Sequence, residues 1–485
     1  MAAWNRAGTG LLLAGGLGLA VLMVSLLVGN GSSEPAGSSA DNRQADPNVD
    51  EVAVFLERGD WDDFRRGIEA VVRERRARLI ESRDEAIVLE TPIRRRRVRF
   101  SWTKTRGQIE ARAEVRRRAE LSKPPLAIVG ASNTAITAAL AEGLRDAKAT
   151  VGDKHLSPAL LIPLATAVEV GSPIVLMKTA DARVKLLNIH AGRTFRFCLD
   201  NRRLAESAVR CLFAREPERP PKRVSLVVDL HDPCSRDLAL CFRAAVSGLP
   251  KTIAPEVVET PLREEGPPAI DDVPRGDGID TPGPSERALA EKLCRESIEV
   301  PEHATAWVVL TLQRDPLLTM LRALSNQAWY HFSVNGETAR LRVLAGDGIG
   351  LDILRDQARG QNLPFPFWLV SSGLGRATVG NPDDLTQTPC EIVSAVIFCI
   401  DRAGDQTSAD LVAALRALNL PSDSPSSMGR PISFDSSGER LGSLGLVLEA
   451  QPGNDAPIVS YRLDADGKWI EDALPERHPN EQKIK

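Results

Sequence analysis

Cysteine is scarce in this sequence: seven in 485 residues, an odd number, with no C-x-x-C pair. A disulfide-stapled scaffold, a zinc ribbon and a thioredoxin-like site are therefore excluded. Histidine occurs six times and never at the i, i+4 spacing that a helical zinc site needs. Only two tyrosines are present, and aromatic residues make up 4% of the chain, too few to favour a carbohydrate-stacking surface. No excess of positive charge exists to meet nucleic acid, since the formal net charge is −4. The signatures G-x-S-x-G, G-x-x-x-x-G-K-[ST] and H-E-x-x-H are missing, and no internal repeat is found. An enzyme would have to rest on scattered acids, which every domain has. The reading is therefore of a non-enzyme without metal or cofactor.

What is present is an ordinary globular balance, 43% apolar and 26% charged, over a length of about three domains by the usual prior. The first conspicuous segment is uncharged from Ala7 through Ser33, and within it 11–28 is almost wholly apolar. Eighteen to twenty helical residues span about 30 Å, the thickness of a bilayer core. The segment 9–29 reads as a single-pass anchor. Arg6 and the terminal amine precede it and only Arg43 follows soon after, which puts the N-terminus inside and the body in the periplasm or outside the cell. A cleaved signal peptide, releasing a periplasmic protein, is the other reading. Residues 30–50, rich in Ser, Gly, Pro, Ala and Asp, read as a flexible linker.

From residue 51 short apolar runs alternate with helical periodicity. Strands are expected at 52–56, 98–102, 126–129, 159–162 and 174–177. The charged stretch 57–63 reads as a loop. Helices are expected from Phe64, with Ile68, Val71, Val72 and Leu79 at helical spacing, and over 109–121 and 134–144. The rhythm restarts with a strand at 224–229, a helix at 235–246 and a weaker strand at 256–262. The stretch 263–285, dense in Pro, Gly, Asp and Glu, reads as a disordered insertion. Helices at 288–296, 316–324, 390–402 and 409–418 alternate with strands at 305–312, 341–344 and 365–370. The chain then changes character, with short antiparallel strands at 432–434, 445–449 and 458–463 and a polar tail over 471–485. This βαβα rhythm implies parallel sheets covered by helices on both faces.

Three segments, LAIVGASNT (126–134), LIPLAT (161–166) and TFRF (194–197), come in the order and at the approximate spacing found in type I periplasmic binding proteins. The strand–helix unit beginning at 224, the GDG turn at 346–348 and ISFDSSG at 432–438 continue the pattern. Over about residues 51–470 the chain resembles that family, in particular its leucine/isoleucine/valine-binding, amino-acid ABC-importer branch. The resemblance implies an α/β fold of two doubly wound parallel-sheet lobes after the N-terminal transmembrane helix. Lobe one is then about 51–195 plus 349–405, and lobe two about 196–348 plus 406–470. The lobes would close on a ligand beyond the carboxyl ends of the strands.

An amino-acid ligand needs donors for its carboxylate, and Ser132, Asn133 and Thr134 stand where a strand gives way to a helix N-terminus. The family uses this turn for the ligand carboxylate; an ordinary helix cap is the competing reading. Ala165 and Thr166 match the neighbouring segment of that cradle. Asp347, between two glycines, matches the acid that binds the ligand ammonium. Trp61 falls where the family often sets an aromatic against the ligand. The sequence departs from the pattern at HDPC (231–234), where an aromatic-glycine turn is usual, and His231 is the residue that could replace the aromatic. The implied partners are a small amino-acid-like molecule, the membrane through the N-terminal helix, and an ABC permease or a sensor subunit, with no nucleic acid. The alternative is an anchored scaffold of the same fold that has lost small-molecule binding and binds a protein. The basic runs 94–97 and 116–118 read as solvated faces.

Overall fold

The computed structural model describes residues 48–105, 107–131, 133–151, 157–171, 183–215, 218–251, 254–262, 282–334, 340–346, 363–371, 387–403, 407–421, 431–441, 446–450, 458–463 and 469–473. The anchor at 9–29, the linker up to 47, the strand expected at 174–177, residues 263–281 of the insertion, and the tail beyond 473 lie outside the described residues. Among the described residues no helix is long and apolar enough to cross a membrane.

The chain opens with β1 (Val49–Val54), α1 (Arg58–Arg73), β2 (Arg78–Ser82), β3 (Ala86–Glu90) and β4 (Arg97–Trp102). α2 (Gln108–Ala119), β5 (Ala127–Val129), α3 (Thr134–Val151) and β6 (Ala159–Ile162) follow. β7 (Glu169–Gly171) and β8 (Arg183–Lys185) pair only with each other, and α4 (Leu186–Ile189) leads to β9 (Thr194–Arg196). The first sheet runs β2-β3-β4-β1-β5-β6-β9, with β4, β1, β5, β6 and β9 parallel and β3 antiparallel to both neighbours. Side chains alternate between faces along a strand. Val52, Val54, Val129 and Leu161 pack on one side with Ile68 and Val71 of α1. Ala53, Phe55, Ile128 and Leu160 pack on the other with Val115 of α2 and Leu140 of α3. Covering both faces requires apolar residues at every position, which is why these strands read as unbroken runs.

Two expectations change here. β1 starts at Val49, so the linker ends before residue 50. α1 starts at Arg58, inside the stretch expected to be a loop. Asp62 and Glu69 are exposed and Asp60 and Asp63 half-buried along its flanks, while Trp61, Phe64, Ile68 and Val71 form the inner stripe.

The second lobe begins with α5 (Asn201–Arg215), β10 (Pro221–Val228), α6 (Pro233–Ser247) and β11 (Glu256–Pro261). It continues through α7 (Pro284–Ile298), β12 (Thr305–Leu310), α8 (Arg314–Ala328) with a π-helical extension at Trp329–Val334, β13 (Leu341–Ala345) and β14 (Phe367–Ser371). Pro284 and Ser285 already belong to α7, where Pro is suited to the first turn, so the insertion is shorter than expected at its end. α9 (Gln387–Arg402), α10 (Ser408–Arg416), β15 (Asn419–Leu420) and β16 (Ile432–Ser433) come next, then β17 (Leu446–Ala450), β18 (Ile458–Leu463) and β19 (Trp469–Ala473). The second sheet runs β11-β10-β12-β13-β14-β17-β18-β19, parallel as far as β14 and antiparallel beyond it. β19 claims residues 469–473, so the tail starts later than 471. Helices α7 and α8 cover one face of this sheet, and α5 and α6 cover the other.

The lobe boundaries differ from those the resemblance implies. β14 remains in the second sheet, where Phe367 and Leu369 face α8, and Trp368 and Val370 face α5. α9, α10, β15 and β16 complete the core of lobe one, with Val393, Val396, Leu411, Leu415, Leu420 and Ile432 packed against α1 and β1. The return to lobe one therefore falls between β14 and α9, later than 349. The last passage to lobe two falls between Leu441 and β17, later than 406. Apolar runs with both faces covered look alike in either lobe, so pattern alone cannot assign them.

The crossings are tied by buried arginines. Arg196 donates to the carbonyls of Thr166 (3.3 Å) and Ala167 (2.7 Å) and pairs with Glu439 at 3.3 Å. Arg440 donates to the carbonyls of Phe197 (3.0 Å) and Pro431 (2.8 Å) and to Glu391 at 3.1 Å. Gly438 brings this turn onto β9: its φ is +93°, and a Cβ there would stand 1.9 Å from the Thr194 carbonyl oxygen. Only glycine fits.

His190, at the end of α4, is 3% exposed and meets the Pro158 carbonyl at 3.0 Å. Burial pushes its pKa down from 6.5 to about 4, against the smaller upward pull of that carbonyl. The folded protein therefore holds the ring neutral where the unfolded chain would protonate it. Its cost is nil above pH 6.5 and grows as pH falls towards 4, reaching roughly 3 kcal/mol. Urea-unfolding midpoints measured between pH 7 and pH 4 should fall accordingly, and His190→Gln should remove that part of the slope. An unchanged slope in the variant would count against the assignment.

Candidate functional site

In lobe one the site forms where β5 and β6 end. The Gly130 N–H donates to the Leu161 carbonyl at 2.8 Å, and the Thr137 hydroxyl donates to the Ala131 carbonyl at 2.9 Å, which fixes the turn. The Asn133 side-chain oxygen accepts from the N–H groups of Ala135 (2.7 Å) and Ile136 (3.2 Å). This is a helix cap, and it occupies the Asn133 acceptor within its own helix. Thr134 begins α3 and is buried. Ala165 is enclosed, its carbonyl accepting from the Cys198 thiol at 3.7 Å. The Thr166 carbonyl accepts from the N–H of Asn201 at 2.8 Å, and its hydroxyl lies 3.5 Å from the Cys234 sulfur.

The opposing wall is the start of α6. Asp232 caps that helix, accepting from the N–H groups of Cys234 (3.2 Å) and Ser235 (2.9 Å), with Pro233 in the first turn. Gln313 donates to the same carboxylate at 3.1 Å. Burial pushes the Asp232 carboxyl up, against those hydrogen bonds. Burial likewise pushes the Cys234 thiol up to about 11, although hydrogen bonds with Thr166, Asn201 and Thr134 oppose the rise. Cys234 is thus a thiol, not a thiolate nucleophile, at neutral pH. One turn further along, Asp237 is buried and accepts from the N–H groups of Val168 (2.8 Å) and Glu169 (3.0 Å) and from the Asn201 amide (2.9 Å).

The structure thus brings together Thr134, Thr166 and the beginning of α6, and sets Asn133 and Ala165 beside them. His231 lies in an exposed loop, its N–H donating to Asp229 at 2.9 Å. Ser132 and Asp347 lie outside the described residues. Trp61 is not at the site. It is fully buried in lobe one, stacked at 6.0 Å on Phe64 and 6.4 Å on Trp102, and donates to the Asp84 carbonyl at 2.7 Å. Its helix begins earlier than the sequence suggests, and that turns the indole inward. Sequence reasoning passed over Cys234, Asp237, Asn201 and Arg196 as site residues. Only Arg196, a lone charge within the apolar TFRF segment, carried a visible signal. Among the described residues no group of three or more acids, histidines and cysteines could hold a metal ion.

The sequence matches no protein-family model, and no curated protein matches it. Solved structures do match. A leucine-binding protein, LivK, from Thermotoga maritima is 14% identical, with 89% of this chain and 100% of that chain covered and a TM-score of 0.54. An ABC transporter substrate-binding protein from Desulfitobacterium hafniense, in complex with leucine, is 12% identical, with coverage of 88% and 100% and a TM-score of 0.53. The branched-chain amino acid transporter substrate-binding protein LivJ from Streptococcus pneumoniae, in complex with isoleucine, is 12% identical, with coverage of 88% and 99% and a TM-score of 0.53. The chain has the type I periplasmic binding protein fold. In that type I fold the two doubly wound sheets and the three passages between lobes set the ends of β5, β6 and β10 face to face. At these identities the fold is what is shared.

Proposed function

We propose that this protein is an extracytoplasmic solute-binding protein that captures a small amino-acid-like molecule between its lobes, for an ABC importer or a sensory partner. The observation that carries this reading is the meeting of the α3 N-terminus, with Asn133 and Thr134, and the Thr166 hydroxyl at the strand ends of a two-lobed fold. Main-chain donors of a helix start and neighbouring hydroxyls suit a carboxylate. Ser132, Ala165 and His231 would line the same place, and Asp347 would take the ammonium. The segment 9–29 would anchor the protein, N-terminus inside, with the body in the periplasm or outside the cell, unless it is cleaved as a signal. No catalytic step, cofactor or metal belongs to this role.

A second reading is favoured by one observation. The Cys234 thiol of lobe two lies directly against the Thr134 and Thr166 hydroxyls, which would otherwise serve the ligand. A scaffold that has given up small-molecule binding and docks a protein would keep such a contact. A thermal-shift screen against the twenty amino acids separates the two. A reproducible stabilisation by one or a few of them is expected, and a flat response to all twenty would move the assignment to the scaffold.

A further inference from the structure

The α6 face turned towards lobe one carries Cys234, Asp237 and Cys241 at i, i+3 and i+7, one stripe of a helix. Cys234 meets Thr166, and Cys241 stands 4.0 Å from the Asp237 carboxylate. Between them, Asp237 spans the lobes. Both of its oxygens are engaged by consecutive main-chain N–H groups of lobe one, Glu169 on one and Val168 on the other. The third donor, the Asn201 amide, comes from the first crossing, and the N–H of the same Asn201 holds the Thr166 carbonyl.

We infer that Asp237 is a built-in latch: its carboxylate, carried by lobe two, holds the lobes together on the Val168 and Glu169 N–H groups, so that closure is complete within the chain and does not wait for a small molecule. The chemistry is that of carboxylate recognition, with two adjacent backbone donors and one amide. Here the carboxylate is the protein's own. A buried carboxylate needs such donors, because unpaired burial of a charge is strongly unfavourable. The partners are contributed by both sides of the hinge, so separating the lobes breaks two of the three bonds at once. Cys234 against Thr166 supplies a second contact on the same face. The latch concerns closure alone and holds whichever molecule, if any, the cleft receives.

Hydrogen exchange on the full-length chain in mild detergent tests this directly. In the wild type, with nothing added, the Val168 and Glu169 amides should exchange at least ~100-fold more slowly than in an unstructured peptide. Asp237→Ala should accelerate those two amides at least ~10-fold while the amides of β5 and β12 keep their protection. Unprotected amides at 168 and 169 in the wild type, or protection undiminished in the variant, would overturn the latch. Should Asp237→Ala fail to fold, which lost protection in β5 and β12 would reveal, a second variant decides. Thr166→Cys sets a thiol beside Cys234 with Asp237 intact. Mild oxidation should then join the two lobes, read as a crosslinked peptide pair by mass spectrometry, and failure to bridge would refute closure at this contact.

Discussion

Replacing Glu391 with alanine is expected to destabilise the protein by about 3–5 kcal/mol. Glu391 and Arg440 are both almost wholly enclosed, at 0% and 1% exposure, and form an ion pair. The guanidinium is held further by the carbonyls of Phe197 and Pro431. Removing the carboxylate leaves a cation that two carbonyl dipoles cannot neutralise. The penalty comes from the stranded charge rather than from the strength of the pair, which gives the prediction a second half. Glu391→Leu combined with Arg440→Met should recover most of the loss, since an apolar pair of similar volume avoids the burial of both charges. Urea unfolding followed by circular dichroism measures both. A loss below about 1 kcal/mol in Glu391→Ala would mean that water reaches the guanidinium. Because Arg440 also fastens the first crossing at Phe197, the single variant should loosen the hinge as well.

Asp347→Ala is expected to weaken binding of whichever amino acid the screen identifies by roughly 30-fold to several thousand-fold, the equivalent of about 2–5 kcal/mol. In sequence Asp347 follows Gly346, the residue after β13, and it is the acid to which the proposed function gives the ligand ammonium. A ligand ammonium held there, as proposed, would lose the carboxylate that pairs with it. Thr166→Val, which removes one hydroxyl and keeps the volume, should cost far less, about 1 kcal/mol, because the main-chain donors of α3 remain. Isothermal titration of both variants with the identified amino acid reads the difference. Equal affinity in Asp347→Ala and wild type would remove the ammonium clamp from the proposal.

Much of the fold was legible because physics left few choices. The runs at 126–129 and 159–162 are apolar at every position, and those at 305–310 and 341–345 at all but one, Thr305 and Arg342, as strands covered on both faces tend to be, and each became a central strand. β2 was invisible for the opposite reason. Leu79 and Ile80 are 44% and 38% exposed at the sheet edge, so no alternation between buried and exposed marks them. Trp61 was misplaced because Asp60, Asp62 and Asp63 around it look like a loop, although on the helix they flank the buried stripe, Asp62 exposed and Asp60 and Asp63 half-buried. At the site, the Asn133 cap was readable from local chemistry alone. Asp237 was not, because its donors at Val168 and Glu169 lie 69 and 68 residues away, and nothing in an amphipathic helix says which of its polar residues will meet another lobe.

The late return of the chain to lobe one governs how the protein can be made. β9 ends at Arg196 and α9 begins at Gln387, so 190 residues, with β10 to β14 among them, are synthesised between the sheet and the helix that covers it beside α1. At the usual pace of translation this interval lasts roughly 10–40 s. Throughout it, the side of the sheet that will receive Val393, Val396 and Ile400 is an uncovered apolar surface. Lobe one is therefore the first to be started and among the last to be finished. A ribosome that stalls anywhere in lobe two leaves behind a half-sheltered sheet, a natural target for holding chaperones and for proteolysis.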